Sequence, residues 1–197
     1  MHPLELFKYC PKCGSPHFEV NNEKSKRCAD CGFVYYFNSS AATVAFILND
    51  KNELLVCRRG KEPAKGTLDL SGGFIDMYET GEEGVAREVL EETGLQVEEA
   101  GYQFSLPNTY LYSGFLVHTL DQFFLCKVKD TSRIKAMDDV AESFWLPLDE
   151  VNPEDTRATE EAQSADTMTS SPPTWMVTRR AEGRRVWSMY RRICSRI

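Results

Sequence analysis

The sequence predicts an α/β domain preceded by a small metal-binding module built on cysteines, and three observations carry that prediction. Two Cys-x-x-Cys pairs lie near the N-terminus, β-rich apolar runs begin at Ala41, and one capped helical stretch with a dense acidic pattern interrupts them. A chain of 197 residues, 42% hydrophobic and 27% charged, is long enough for one full domain and something smaller.

The cysteine module, residues 1–37, comes first. Cys10-Pro11-Lys12-Cys13-Gly14 and Cys28-Ala29-Asp30-Cys31-Gly32 are separated by 14 residues. Each pair sets two thiolates on one tight turn, the following glycine lets the backbone fold round an ion, and two such turns complete a tetrahedral site. Two disulfides are the other use of four cysteines, but nothing else here marks secretion, so Cys10, Cys13, Cys28 and Cys31 are the expected ligands of a Zn²⁺ ion. Four thiolates leave no open coordination position. The zinc is therefore expected to be structural, supplying folding energy that so short a segment lacks. Cys57 and Cys126 fall in apolar runs and read as small core residues.

The main domain is expected over residues 38–151. Ala41–Leu48 and Leu54–Arg59 flank the polar stretch Asn49-Asp50-Lys51-Asn52 and read as a β-hairpin. A short strand near Thr67–Leu70 leads into Ser71-Gly72-Gly73, and Phe123–Val128 reads as a further strand. Between them a helix is expected over residues 80–93: Thr80 and Glu83 have capping-box spacing, and Gly94 can end the helix in a left-handed turn. At about 100° per residue, Val85, Ala86, Val89 and Leu90 are expected to pack while Glu88, Glu91 and Glu92 share the other arc. Like charges at this spacing destabilise a helix, so the cluster calls for a counter-ion; a hard divalent cation and a plain solvated face are the two readings.

Gly73, Glu79 and the run Arg87-Glu88-Val89-Leu90-Glu91-Glu92-Thr93-Gly94-Leu95 occupy every defined position of the Nudix box, and here the chain resembles the Nudix hydrolase family. Lys65–Phe74 before the box and Asp139–Leu148 after it resemble that family's flanking segments. The resemblance implies a Nudix α/β/α sandwich with a mixed sheet, the box forming a loop, helix, loop unit. It implies Glu88, Glu91 and Glu92 as ligands of a catalytic Mg²⁺ (or Mn²⁺), with Gly72 and Gly73 lining the site and the Gly72 carbonyl a further oxygen. Glu79 and Arg87 are implied as an ion pair orienting the helix. For the base, Glu88, Glu92 and, from outside the box, Asp139 are candidates, with Asp138 and Glu142 near the last.

A Cys₄ ribbon directly before such a domain resembles the NADH pyrophosphatases and relatives acting on FAD or ADP-ribose. Their Ser-Gln-Pro-Trp-Pro-Phe-Pro-x-Ser signature is met here by Ser105-Leu106-Pro107-Asn108-Thr109-Tyr110-Leu111-Tyr112-Ser113, which keeps Ser, Pro and one aromatic and lacks the Trp and later prolines. The implied reaction is cleavage of the pyrophosphate bond of a nucleoside diphosphate linked to another group (NADH, ADP-ribose, FAD or a nucleotide sugar). Tyr110 or Tyr112 is then a candidate to stack on a base, and Arg58, Arg59 and Lys65 are candidates to meet phosphates. A homodimer is suggested by the same resemblance. A nucleotide sensor or nucleic-acid adaptor on the same fold is the alternative, and the intact box argues against it.

Charge and hydropathy set the remaining limits. Residues 1–151 carry 15 basic and 24 acidic side chains, which makes nucleic acid an unlikely partner on charge grounds, while a phosphate substrate remains open to metal-assisted binding. No run reaches the roughly 18 to 20 apolar residues of a membrane span and no apolar leader opens the chain, so a cytoplasmic protein is expected. Residues 152–197 read differently, with no Lys, 8 Arg and 6 acids. The stretch to Pro173 has linker-like composition, and Arg179–Ile197 could form a cationic amphipathic helix. The abrupt loss of Lys and of family pattern makes an atypical extension, or a shifted reading frame, the expectation for this tail.

Overall fold

The computed structural model describes residues 2–61 and 65–151, without the side chains of Tyr110 and Leu111. The expectations for residues 152–197 lie outside the described residues. The chain divides into two compact units: Met1–Ala41 with Leu106–Asp121, and Ala42–Ser105 with Gln122 onward. The second stretch of the first unit is one that the sequence reading keeps with the main domain.

In the first unit, β1 (Phe18–Asn22), β2 (Ser25–Cys28) and β3 (Val34–Tyr36) form an antiparallel sheet in that order. Its small core is Cys10, Phe18 and Cys28, with Phe33 packed against it. Each cysteine turn closes through a glycine in the left-handed region: Gly14 N–H donates to the Cys10 carbonyl (2.8 Å) and Gly32 N–H to that of Cys28 (3.0 Å), both glycines at φ 73°. Asp30 accepts from the Ser15 hydroxyl and lies 3.1 Å from His17 Nδ1, tying one turn to the other.

In the second unit, β4 (Ser40–Ile47), β5 (Glu53–Arg59), β6 (Leu68–Asp69), α1 (Gly81–Thr93), β7 (Val97–Tyr112), β8 (Phe115–Val128) and β9 (Val140–Pro147) supply two three-stranded sheets, ordered β4-β8-β7 and β6-β5-β9. β4 begins, and the β7–β8 hairpin ends, in residues of the first unit. The α/β class with a cysteine ribbon ahead of it is the one the sequence predicts. The expected hairpin is not found. β4 and β5 lie in different sheets, and their runs meet at an isolated Leu48–Leu54 bridge and through Asn49 N–H donating to the Glu53 carbonyl (3.1 Å). The reason is burial: Ala45–Ile47 and Leu54–Cys57 are all buried, so each run is covered on both faces and pairs elsewhere. Asn49 makes the corner, its side-chain oxygen accepting from Lys51 N–H and Glu53 N–H at 3.0 Å each.

The core joins Ala45 and Ile47 of β4, Leu55 of β5, Val85 and Val89 of α1, Leu95, and Phe124 and Cys126 of β8. On the other face of the β4-β8-β7 sheet Phe46, Phe104 and Phe123 stack, with centroids of the last two 4.7 Å apart. Cys57 and Cys126 are buried as expected, and burial pushes both thiols up to about 12, leaving them unreactive.

Candidate active site and metal centre

The helix that carries the acids forms as its caps dictate. Thr80 accepts from Glu83 N–H while the Glu83 carboxylate accepts from Thr80 N–H, and Gly94 closes the other end at φ 69°. Three further carbonyls of the last turn find partners: Gly94 N–H donates to Leu90, Met137 N–H to Glu92 and Lys135 N–H to Thr93.

The buried face of α1 is Gly84, Val85, Val89 and Thr93, and Leu90 is half exposed at 51%. This corrects the expected packing of Leu90 and the expected acidic arc. Glu92 lies one turn beyond Glu88 and seven residues after Val85, hence close to the packing stripe rather than opposite it. The three glutamates accordingly fan from solvent towards the core: the Glu91 side chain is 52% exposed, Glu88 16%, and Glu92 is turned against the loop before the box.

That loop is fastened to β4, with Ala45 N–H donating to the Ser71 carbonyl and Thr43 N–H to the Gly73 carbonyl, both at 2.8 Å. One Glu92 oxygen accepts from Ser71 Oγ (2.6 Å) and from Gly72 N–H (3.1 Å). Glu88 lies against the next residue, so that a Cβ on Gly73 would sit 2.5 Å from its carboxylate. A Cβ on Gly72 would meet the Thr43 carbonyl oxygen at 2.1 Å. Two box carboxylates thus flank the Gly72–Gly73 peptide, and neither glycine can be larger without moving something. Desolvation pushes Glu92 up to about 7 and raises Glu88, the Arg87 hydrogen bond opposing the shift at Glu88.

Arg87 holds the fan together. Its Nε and Nη2 donate to the two oxygens of Glu79 at 2.9 and 3.0 Å, Nη2 also reaches the Phe74 carbonyl (3.0 Å), and Nη1 reaches Glu88 (2.8 Å) and Glu91 (3.2 Å). The bidentate bond from Arg87 lowers Glu79, and the same bond raises Arg87. Among the described residues the three glutamates do not close to metal-ligand spacing, because Arg87 draws Glu88 and Glu91 while Ser71 and Gly72 hold Glu92. Their donor set is all oxygen and anionic, which suits a hard divalent cation.

Outside the box, Asp139 sits just before β9 and receives Arg59 Nη2 at 3.2 Å; its charge is one of those that raise Glu92. Its two rivals are drawn elsewhere, Asp138 to Lys61 (3.4 Å) and Glu142 to Arg58 (3.2 Å). Arg59 is further balanced by Asp69 (3.8 Å), so both arginines proposed for phosphates already face carboxylates. The Tyr110 side chain is outside the described set. Sequence reasoning assigned no role to Ser71 or to the Phe74 carbonyl; neither periodicity nor charge marks them, and only their contacts with Glu92 and Arg87 reveal them.

The four cysteines are, among the described residues, the one group of three or more potential ligands whose donor atoms all lie within 4.8 Å. Cys10 to Cys31 and Cys13 to Cys28 are each 3.7 Å between sulfurs. That is far beyond a disulfide and close to the edge, about 3.8 Å, of a tetrahedron with zinc–sulfur bonds of about 2.3 Å.

Known proteins resemble this chain in sequence and in fold. The profile of the NUDIX domain matches residues 38–167. Over 106 residues the chain is 31% identical to the NAD-capped RNA hydrolase NudC of Vibrio atlanticus, covering 54% of this chain and 39% of that protein. The protein of the same name from Vibrio cholerae is 25% identical over 159 residues, 80% of this chain and 56% of its own. The matched stretch therefore spans about half or less of these relatives' length. Among solved structures, a NUDIX hydrolase from Nitrosomonas europaea superposes with a TM-score of 0.59 at 24% identity, covering 76% of this chain and 82% of the other. A MutT NUDIX hydrolase from Burkholderia pseudomallei gives 0.54 at 23% identity, covering 68% and 100%. At these identities the structures speak for the fold.

Proposed function

This chain belongs to the NUDIX domain family, and from that premise we propose that it is a metal-dependent pyrophosphohydrolase of nucleotide substrates. The observation that carries the reading is the pair of box carboxylates, Glu88 and Glu92, flanking the Gly72–Gly73 peptide under the control of Arg87. The substrate class is a nucleoside diphosphate joined to another group, with NADH, ADP-ribose, FAD and nucleotide sugars as members. The names of the curated relatives add NAD-capped RNA, so a nucleic acid carrying such a cap joins the class despite the acidic balance of residues 1–151.

Glu88, Glu91 and Glu92 would hold Mg²⁺ or Mn²⁺, which when bound supplies charge neutralisation on the pyrophosphate and a more acidic water. Glu79 and Arg87 act on the helix rather than on the substrate: their two parallel hydrogen bonds fix where the box carboxylates point. Glu92, fastened to Ser71 and Gly72, Asp139, placed by Arg59, and Glu88 are the three candidates to take a proton from the attacking water. The products are a nucleoside monophosphate and a second phosphorylated fragment. In the first unit, Cys10, Cys13, Cys28 and Cys31 would bind a structural Zn²⁺, and the six described cysteines, none of them in a disulfide, suit a reducing compartment such as the cytosol. The functional division proposed is ribbon 1–37, hydrolase 38–151 and tail 152–197, with a homodimer as the assembly.

The test is a substrate panel with purified protein and Mg²⁺, read by release of nucleoside monophosphate. One member is expected to be cleaved, and Glu91→Gln or Glu92→Gln to lower kcat/KM by at least about a hundredfold. Tight binding of a member with no cleavage of any would favour the sensor reading instead.

A further inference from the structure

A cavity of about 480 Å³ lies wholly within the first unit, built by the N-terminal segment, the β1–β2 turn, Phe37 to Ser39 and the start of β8. This is the size range of pockets for small organic ligands. Its lining combines three features. Phe37, Phe115 and His118 form an edge-to-face aromatic group, Phe37 meeting the other two at centroid distances of 5.6 Å. Polar capacity is selective: the His2 ring is already committed to the Asn22 carbonyl (2.8 Å) and to Leu4 N–H (3.1 Å), whereas among the described residues no hydrogen bond engages the side chain of His118 or Ser39. The charged lining is Glu5, Glu23 and Lys24, so carboxylates outnumber the ammonium.

Aromatic walls favour a planar ring, a free imidazole and a hydroxyl favour a ring with donors and acceptors at its edge, and the carboxylate excess disfavours phosphate. We propose that this cavity is a second, non-catalytic site for an uncharged heteroaromatic base, carried by a free base or an unphosphorylated nucleoside. None of its lining residues belongs to the unit that bears the box acids, and the inference does not depend on the hydrolase reading.

The test uses the full zinc-loaded chain with ¹³C-labelled histidine, whose three imidazoles report separately, and adenosine as probe without added Mg²⁺. The His118 signal is expected to shift saturably while that of His17, on the cysteine turns, does not. AMP and ADP should bind at this reporter about tenfold more weakly or worse, the reverse of a phosphate-reading site. Phe37→Leu should weaken adenosine about tenfold, and Ser39→Ala provides a milder variant that leaves the aromatic packing in place. The proposal is overturned if the His118 signal does not saturate by roughly 10 mM adenosine, if ADP binds as well as adenosine, or if both variants, with zinc content retained, bind like the parent.

Discussion

Glu92 is asked to be charged in a place that disfavours charge. Burial pushes its pKa up to about 7 from an ordinary 4.5, although Ser71 Oγ and Gly72 N–H both donate to it. The folded state then binds the extra proton between pH 4.5 and about 7, so rising pH through this window removes stability from the metal-free protein, on the order of 3 kcal/mol in all. Glu92→Gln is therefore expected to match the parent near pH 5 and to exceed it near pH 8 when melting is followed without added divalent ion. Saturating Mg²⁺ should erase that advantage, and a parent as stable as the variant at pH 8 would contradict the burial argument. The two glycines beside it separate stability from function. Gly72→Ala drives a Cβ into the backbone of Thr43 and should cost roughly 1–3 kcal/mol in denaturant titration. Gly73→Ala meets the movable end of Glu88, so the protein should fold while kcat/KM falls about 10- to 100-fold. Neither difference is readable from Ser71-Gly72-Gly73 as letters, because it depends on which neighbour the fold brings up. Glu88, Glu91 and Glu92 were legible as a set, since their spacing is local to one helix.

At the scale of the element, α1 repeats the same lesson with its own numbers. Thr80, Glu83 and Gly94 specify its ends through contacts three and four residues apart, and the sequence therefore located it within a residue. Its inner face was less legible. Counting apolar residues placed Leu90 in the core and Glu92 out of it, whereas the sheet beneath accepts Val85, Val89 and Thr93 and leaves Leu90 half exposed. Val89→Ala should cost about 1–3 kcal/mol and Leu90→Ala no more than about 0.5 kcal/mol in urea titrations, and Thr80→Ala about 1 kcal/mol through the lost cap. Equal costs for Val89 and Leu90 would restore the simpler pattern. The β4–β5 hairpin failed for a related reason: a polar turn between two apolar runs fits a hairpin and a corner between sheets equally well, and only the burial of both faces of each run decides.

For the molecule as a whole, the two units rest on different sources of stability. Among the described residues the largest core cluster of the second unit joins eight buried residues from both sheets, α1 and Leu95, whereas the cluster around the sulfurs of the first is Cys10, Phe18 and Cys28, with Leu4 buried besides. So small a core is poorly able to hold a fold in water, and the zinc proposed for the four sulfurs would supply the missing stability. Metal analysis of the purified protein is expected to give one zinc per chain, and Cys28→Ser to remove it. Hydrogen exchange then distinguishes the units: in the variant, amides of β1–β3 should lose protection, while those of α1 and β5, which belong to the other core, should keep theirs. Retention of zinc by Cys28→Ser, or loss of protection in α1 and β5 together with the ribbon, would mean that the sulfur cluster is not what holds the first unit or that the two do not stand on separate cores.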